Sequence, residues 1–406
     1  MAVGLNAPTN ILPVEGIRLS AGSAGIYARK RNDIILLELS EGSIVTGVFT
    51  QNLFCAAPVT LAKKHLKINF PHYFLINAGN ANAGTGEQGI SNSLRTCEAL
   101  ASISKCHFEQ VLPFSTGVIG EPLPVEKIID SLLDLHSNLS SENWLLAAQA
   151  IMTTDTVPKA ISRKLIIDDK EITITGIAKG AGMIKPDMAT MLSFIATDGN
   201  ISRNVLDQLL KDAVNKSFNR ITVDGDTSTN DACMLIATGK ANNVLMSAET
   251  EAAYSKFSEA LTEVCCHLAQ AIIRDGEGAT KFIEIEVVGG KTHKDCLSVA
   301  YKIAESPLVK TAFTASDPNW GRILASIGCA KIDNLKVSKV NIWLDDLCIV
   351  ENGQRADNYT EIAGKTKMSQ SEIKLSVCLG MGDVKETIWT TDLSHEYIKI
   401  NAEYRT

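Results

Sequence analysis

The chain lacks most of the features that assign a function at a glance. Its ten cysteines are scattered and form no CxxC pair. That excludes a cysteine-rich metal motif and a secreted disulfide framework, and it points to a reducing, cytosolic setting. The one cluster, Cys265-Cys266-His267, falls in an apolar helical stretch, where adjacent cysteines are usually small buried residues rather than ligands. No apolar run approaches the length of a membrane span. The start, MAVGLNAPTNILPVEG, has no basic region followed by an apolar core, so no secretory signal is expected. Positive charge is not in excess: the formal net charge is -7, which argues against a nucleic-acid or anionic-membrane partner. Low-complexity segments and repeats of fixed period are missing too.

What the chain does have is 406 residues, 45% hydrophobic and 21% charged. That is an ordinary balance for a soluble globular protein, long enough for two domains or a large core with a smaller one appended. Short apolar runs predict strands at Ile34 to Leu39, Ile44 to Thr50, Tyr73 to Asn77 and Gln110 to Phe114, with a helix from Ser91 to Ser104. Helices are expected at Val125 to Leu135 and Glu142 to Met152, and a hairpin at Lys164 to Ile177 around Asp168-Asp169. Alternation predicts a strand from Thr190 to Ala196, and Ser202 is placed to cap a helix from Arg203 to Phe218. A long helix is expected from Ala248 to Arg274 and a strand from Lys281 to Val288, ended by Gly289-Gly290, where a soft boundary to a smaller second domain is placed. Beyond it, strands are predicted at Lys336 to Leu344, Glu372 to Cys378, Thr387 to Thr391 and Tyr397 to Ile400, and helices at Leu297 to Ala304 and Pro307 to Thr314. Strands and helices mix without strict alternation, which favours a layered α/β or α+β fold.

One glycine pattern is a decoy. Gly84-Thr85-Gly86-Glu87-Gln88-Gly89 matches the dinucleotide fingerprint, but a polar loop separates it from the strand ending at Asn77, and Glu109 precedes the next strand instead of closing it. The better reading is a surface or pocket loop that needs unusual backbone angles. Asp224, Asp226 and Asp231 do not follow the calcium-loop spacing and read as a hydrogen-bonded loop supporting a site.

The most informative run is Lys179-Gly180-Ala181-Gly182-Met183-Ile184-Lys185-Pro186-Asp187-Met188-Ala189-Thr190-Met191-Leu192. Taken alone, a threonine at a strand start is a packing residue. Together with other blocks, however, the run resembles the ornithine acetyltransferase family. Those blocks are Gly47-Val48-Phe49-Thr50, Ala56-Ala57-Pro58-Val59, Asn77 to Gly84, Ser115-Thr116-Gly117-Val118-Ile119-Gly120, Met152-Thr153-Thr154-Asp155-Thr156, Val223 to Asp231, Asp317-Pro318-Asn319-Trp320-Gly321-Arg322 and Ile400 to Thr406. They occur in the family's order and cover nearly the whole chain. Ala181 and Asp187 depart mildly, standing where the family often has Ser and Asn.

The resemblance implies that the chain cuts itself between Ala189 and Thr190, leaving an alpha chain 1–189 and a beta chain 190–406. The chemistry is coherent. A threonine hydroxyl needs a base, and the freed α-amine of an N-terminal threonine has an unperturbed pKa of about 7.7–8.0, so no histidine is required. The family's oxyanion positions match Thr116 and Gly117. Its substrate-binding positions match Thr153, Lys179, Thr190, Glu277, Asn401 and Thr406. Outside that match, Lys179 would read as a solvated lysine after a strand and Glu277 as a polar helix terminus.

The function so implied is transfer of the acetyl group of N-acetylornithine to glutamate through an acetyl-threonine intermediate in arginine biosynthesis. No metal or cofactor is implied, and acetyl-CoA is allowed as a co-substrate. The fold implied is a layered αββα sandwich (residues 1–288) with an N-terminal-nucleophile-like site, plus a smaller C-terminal α/β domain (289–406). The fragments are expected to stay associated as a cytoplasmic heterotetramer of two alpha and two beta chains. An N-terminal-nucleophile amidohydrolase or aminopeptidase is the alternative, distinguished by water as acceptor. A metabolite-binding protein is a third reading and predicts an uncut chain.

Overall fold

The run Ile34-Ile35-Leu36-Leu37 contains no polar residue to mark a solvent face, and the structure buries both of its faces. The computed structural model describes residues 2–185, 191–247 and 250–403. Strand β2 (Ile34–Leu39) lies inside a sheet of order β1-β2-β4-β5, with β1 (Ile17–Gly22), β4 (Tyr73–Asn80) and β5 (Val111–Val118). The first three strands are antiparallel neighbours, and β4 and β5 run parallel. A second sheet of order β3-β10-β8-β7-β6 packs face to face with it. It comprises β3 (Ile44–Phe49), β10 (Ala232–Ala237), β8 (Leu192–Thr197), β7 (Lys170–Lys179) and β6 (Lys159–Ile167).

Period-2 geometry then sorts the side chains into layers. Ile35 and Leu37 point between the sheets with Ile177, Ala196, Met234 and Ile236. The centre of this layer is a cluster of three rings, Phe74, Phe114 and Phe194, with centroids 5.1–5.9 Å apart, a spacing that adds about 0.5–1.5 kcal/mol per pair beyond burial. Ile34 and Leu36 point the other way, against α1 (Ala57–Ile68), α2 (Gly86–Ser104) and α3 (Val125–Ser137). The second sheet's outer face, with Ile172, Ile174, Ile195 and Leu235, is covered by α5 (Arg203–Lys216) and α6 (Glu251–Arg274). The result is a sandwich with helices on both outer faces. Helix α4 (Trp144–Ala150) contributes Trp144, Ala147 and Ala148 to the layer between the sheets.

A third sheet has the order β14-β13-β12-β15-β11-β16-β9. Six of its strands are C-terminal: β11 (Phe282–Gly290), β12 (Asn341–Leu344), β13 (Leu347–Glu351), β14 (Gln354–Arg355), β15 (Glu372–Cys378) and β16 (Val384–Thr391). Its core is shared with α7 (His293–Ala304), α8 (Pro307–Thr314), α9 (Trp320–Gly328) and α10 (Glu361–Met368). The expected boundary at residue 288 falls inside β11. At the far edge β9 (Ile221–Thr222) pairs with β16, so a piece of the sandwich half extends this sheet.

Two readings of the sequence are corrected, the first being Lys336 to Leu344, which is a strand only from Asn341 because Val337–Lys339 forms a 3-10 turn. Tyr397 to Ile400 is not a strand but part of α11 (His395–Ala402). Ser394 caps this helix by accepting from Glu396 N, and four alternating residues are too few to separate the two periods. Helix α1 was not anticipated, although Pro58 sits in its first turn, a recognisable start signal. Among the described residues no helix is long and apolar enough to cross a membrane.

Candidate active site

The decoy glycine loop is closed on itself. Asn82, at φ 46, donates from Nδ2 to Gly89 O (3.0 Å) and to Ser93 Oγ (2.9 Å). A Cβ at Gly89 would lie 2.0 Å from Thr85 Oγ1. The Asn82 side chain thus ties the loop to the first turns of α2, while Ala57 N and Gly120 N donate to Asn82 O and Ala83 O from outside, and the loop carries the chain from β4 into α2.

Beside it, β5 brings Thr116 and Gly117 to the end of the first sheet, and β7 ends the second sheet on Lys179. A cavity of about 290 Å³ opens between them. Thr116, Gly117, Thr153, Lys179, Glu277 and Asn401 all line it, together with Val118, Ile119, Thr154, Gly182, Met183, Ser228 and Asn230. Six side chains or backbones singled out from distant parts of the sequence thus meet in one place. Ala189, Thr190 and Thr406 lie outside the described residues. Leu192, soon after the junction, pairs with Lys179 on one side and Ala232 on the other.

Position 117 must be glycine. Its φ is +136, and a Cβ would lie 2.2 Å from the Gly79 carbonyl carbon and 2.5 Å from Asn80 N. The close approach coincides with a register shift between β4 and β5 at Gly79/Asn80. Next to it, Lys179 Nζ donates to Thr116 Oγ1 at 3.2 Å. An ammonium can only donate, so the Thr116 hydroxyl accepts there and keeps its own proton for another acceptor. Burial pushes the Lys179 ammonium below its ordinary pKa; Asp155, Asp231 and Glu277 pull it back, while Lys159 adds to the fall.

Behind this wall is a buried ion triad. Lys159 Nζ donates to Asp155 Oδ1 (2.6 Å) and Asp275 Oδ2 (2.7 Å), and all three side chains are at most 1% exposed. Asp155 also accepts from Gly180 N (2.8 Å) and Thr153 N (3.0 Å), and Asp275 from Thr156 N (2.9 Å) and Val157 N (3.2 Å). The triad therefore pins both the Thr153 turn and the exit of β7. Burial raises the Asp155 carboxyl, but the Lys159 and Lys179 charges outweigh it and hold the group well below the usual carboxylate range. Burial lowers Lys159 in the same way, and its two carboxylates more than reverse that. Sequence reasoning missed Lys159 altogether, since a buried lysine looks like a surface one until its partners are known.

Asp275 also caps the C-terminus of α6, and two residues on Glu277 N donates to Ala181 O at 2.8 Å. A Cβ on Gly182 would sit 2.4 Å from the Glu277 carboxyl carbon, so glycine lets the chain pass the carboxylate. Asn401 Nδ2 donates to Glu277 Oε2 at 2.8 Å, placing α11 over this side of the cavity. Asn230 Nδ2 donates to Ala81 O (2.6 Å) and Ser115 O (2.9 Å), fixing the strand that carries Thr116. Burial drives the Asp231 carboxyl well above its ordinary pKa, against Ser228 and Lys179. Among the described residues no group of three or more His, Cys, Asp or Glu is arranged to hold a metal ion.

The cavity thus gathers the Thr116 hydroxyl and the Gly117 backbone with the Lys179 ammonium and the Glu277 carboxylate. That suits acyl chemistry on a substrate carrying both signs of charge.

Comparison with known proteins adds to this geometry. A sequence model of the ArgJ family matches residues 18–406. The arginine biosynthesis bifunctional protein ArgJ of Pseudomonas fluorescens (strain Pf0-1) is 56% identical over 406 residues, covering 100% of both chains. Its counterpart from Psychrobacter arcticus is 49% identical over 407 residues, again covering 100% of both. Among solved structures, the Bacillus halodurans arginine biosynthesis bifunctional protein is 37% identical, with a TM-score of 0.48 over 50% of this chain and 95% of that one. Ornithine acetyltransferase from Mycobacterium tuberculosis, complexed with ornithine, is 30% identical, with a TM-score of 0.38 over 44% of this chain and 94% of that one.

Proposed function

The chain belongs to the ArgJ family, and from that premise we propose that it is an acetyltransferase of arginine biosynthesis that moves an acetyl group from N-acetylornithine to glutamate. The observation that carries the proposal is the convergence of Thr116, Gly117, Thr153, Lys179, Glu277 and Asn401 on one cavity.

Maturation comes first in the proposed sequence. Thr190 Oγ attacks the Ala189 carbonyl carbon, the C–N bond breaks, and the hydroxyl proton passes to the departing nitrogen, leaving an ester. Water hydrolyses the ester, freeing the Ala189 carboxylate and the Thr190 hydroxyl and amine. In catalysis that amine takes the hydroxyl proton as Thr190 attacks the acetyl carbonyl. The oxyanion is met by the Thr116 hydroxyl and the Gly117 N–H, a contribution of about 10²–10³ in rate per donor. The α-ammonium returns that proton to the ornithine nitrogen as the C–N bond breaks, so ornithine leaves as the amine and the threonine carries the acetyl ester; the neutral glutamate amine then attacks the ester carbonyl, and its proton passes to the departing threonine oxygen, regenerating the hydroxyl.

Lys179 is assigned to the substrate α-carboxylate and Glu277 to the ornithine side-chain ammonium, with Thr153, Asn401 and Thr406 completing the grip. The cycle uses no resident metal or cofactor, and acetyl-CoA is a candidate second donor. The cut pair is assigned to a cytoplasmic heterotetramer of two alpha and two beta chains.

The test is intact mass under denaturing conditions, with and without N-acetylornithine. Two species joining at Ala189/Thr190, with an acetyl adduct on the second, are expected. A single full-length species from active protein would overturn the N-terminal-amine mechanism. Release of acetate that glutamate does not intercept would move the assignment to a hydrolase.

A further inference from the structure

The loop 223–232 carries the three aspartates noted in the sequence, and it grips the chain on both flanks of the expected scission junction. Upstream, Val223 N donates to Ile184 O and Thr227 Oγ1 to Lys185 O, each at 2.8 Å. The Asp224 carboxylate accepts from Met183 N (2.6 Å) and Ile184 N (2.9 Å), one bond to each oxygen. Downstream, Ala232 N donates to Met191 O at 2.9 Å. Met183 has a φ of +54, in the left-handed region that a long side chain rarely adopts, at a cost of about 1–3 kcal/mol. Two charge-assisted bonds to one carboxylate are the kind of contact that can hold it there. Asp224 Oδ2 also accepts from Tyr397 Oη at 3.2 Å, so the same carboxylate ties down α11, the helix that brings Asn401 to the cavity.

We infer that Asp224 is a positioning residue for chain scission: it fixes the backbone of Met183 and Ile184, a few residues upstream of the Ala189–Thr190 bond, and couples that conformation to the docking of α11. The inference rests on the self-cleavage proposed above. Asp224 acts by restricting conformers, so that the Thr190 hydroxyl meets the Ala189 carbonyl more often. Asp226, two residues on, is the built-in contrast. It is exposed, and its backbone N–H donates to Asp224 Oδ1 at 3.3 Å.

The experiment follows scission of the newly made full-length chain by intact mass over time, alongside its thermal midpoint. Asp224→Asn keeps the size but turns one acceptor into a donor facing a backbone N–H. Its half-time of scission is expected to lengthen about tenfold or more, with Tyr397→Phe slower by about two- to fivefold. Asp226→Asn is expected to cut at the wild-type rate. Hydroxylamine, which captures an ester, is not expected to restore Asp224→Asn, because the slowed step is the one that forms the ester.

Wild-type speed in Asp224→Asn, equal slowing in Asp226→Asn, or full rescue by hydroxylamine would each overturn the inference. If Asp224→Asn fails to fold, Thr227→Val decides in its place, since it removes only the hydroxyl bond to Lys185 O. A few-fold slowing supports the clamp, and wild-type rates in both Thr227→Val and Tyr397→Phe overturn it. Failure of the underlying self-cleavage looks different: the wild-type chain itself would stay whole.

Discussion

The two walls of the cavity are built in opposite ways. On one side the end of β7 is backed by the Asp155–Lys159–Asp275 triad, sealed at 1% exposure or less, and Gly117 at the end of β5 is wedged against the Gly79 backbone. On the other, α11 has no fully buried residue. It is held chiefly by Ser394 Oγ to Gly278 O (2.6 Å), Tyr397 Oη to Asp224 (3.2 Å) and Asn401 Nδ2 to Glu277 (2.8 Å). The proposed oxyanion donors would have to be in place before the reaction, and a rigid wall suits that role. The proposed exchange of two substrates would need one side to open at low cost, and α11, with few buried apolar contacts, is the kind of element that can do so. The contrast teaches that stiffness is allotted by task within a single pocket.

The comparison can be broken first at the triad. Lys159→Met leaves two buried carboxylates without a cation, and a loss of about 3–5 kcal/mol is expected, read from denaturant unfolding. A loss below about 1 kcal/mol would show that the wall does not depend on the triad. Next in size is Thr116→Val, which keeps the shape and removes the hydroxyl. Its kcat is expected to fall by about 10²–10³ with the fold intact; an unchanged kcat would remove Thr116 from the oxyanion site. Gly117→Ala meets backbone at 2.2 Å and is expected to cost about 2–3 kcal/mol in stability. If its melting curve is that of the wild type, the wedge is not rigid.

Smaller effects are expected on the α11 side. Asn401→Ala should raise KM by about tenfold, equivalent to one charge-assisted bond, with the unfolding midpoint unchanged. A fall in stability as large as that of Lys159→Met would erase the distinction between the walls. The gentlest test is pH. Lys310 of α8 is buried, with its ammonium on Thr390 Oγ1 (3.0 Å) and Thr391 O, just before the turn from which α11 springs. Burial pushes it down to about 8, with Asp392, Asp224 and Glu305 opposing. Its folded pKa is thus below the unfolded value of about 10.4, so the unfolded chain binds more protons between the two. Relative to Lys310→Met, wild-type stability should therefore rise as pH climbs from about 8 to about 10. A flat difference would mean that Lys310 is not desolvated.

Much of the frame was legible because it is written locally. The apolar run at Ile34 to Leu39 and the alternation after the junction became strands, and a helix starts after Ser202, although the Ser202 side chain makes no capping bond and the helix ends at Lys216 rather than Phe218. The failures have physical causes. Tyr397 to Ile400 offered four alternating residues and became a helix, because Ser394 caps it. The buried lysines at 159 and 310 could not be told from surface ones, because their burial depends on carboxylates and carbonyls up to 116 residues away. Nor did the aspartate loop reveal which carboxylate mattered: Asp224 bonds a segment 40 residues upstream and a helix 173 residues downstream.

By itself, then, the sequence determined the strand and helix candidates, the family resemblance, the threonine junction and the glycines that only unusual backbone can use, since each rests on neighbours along the chain. Only the tertiary structure decided that Lys179 would touch Thr116 across 63 residues, that one wall would be stiff and the other loosely held, and that Asp224 would join them. Those outcomes depend on how two sheets stack and in what register, and on which charges are taken out of water together.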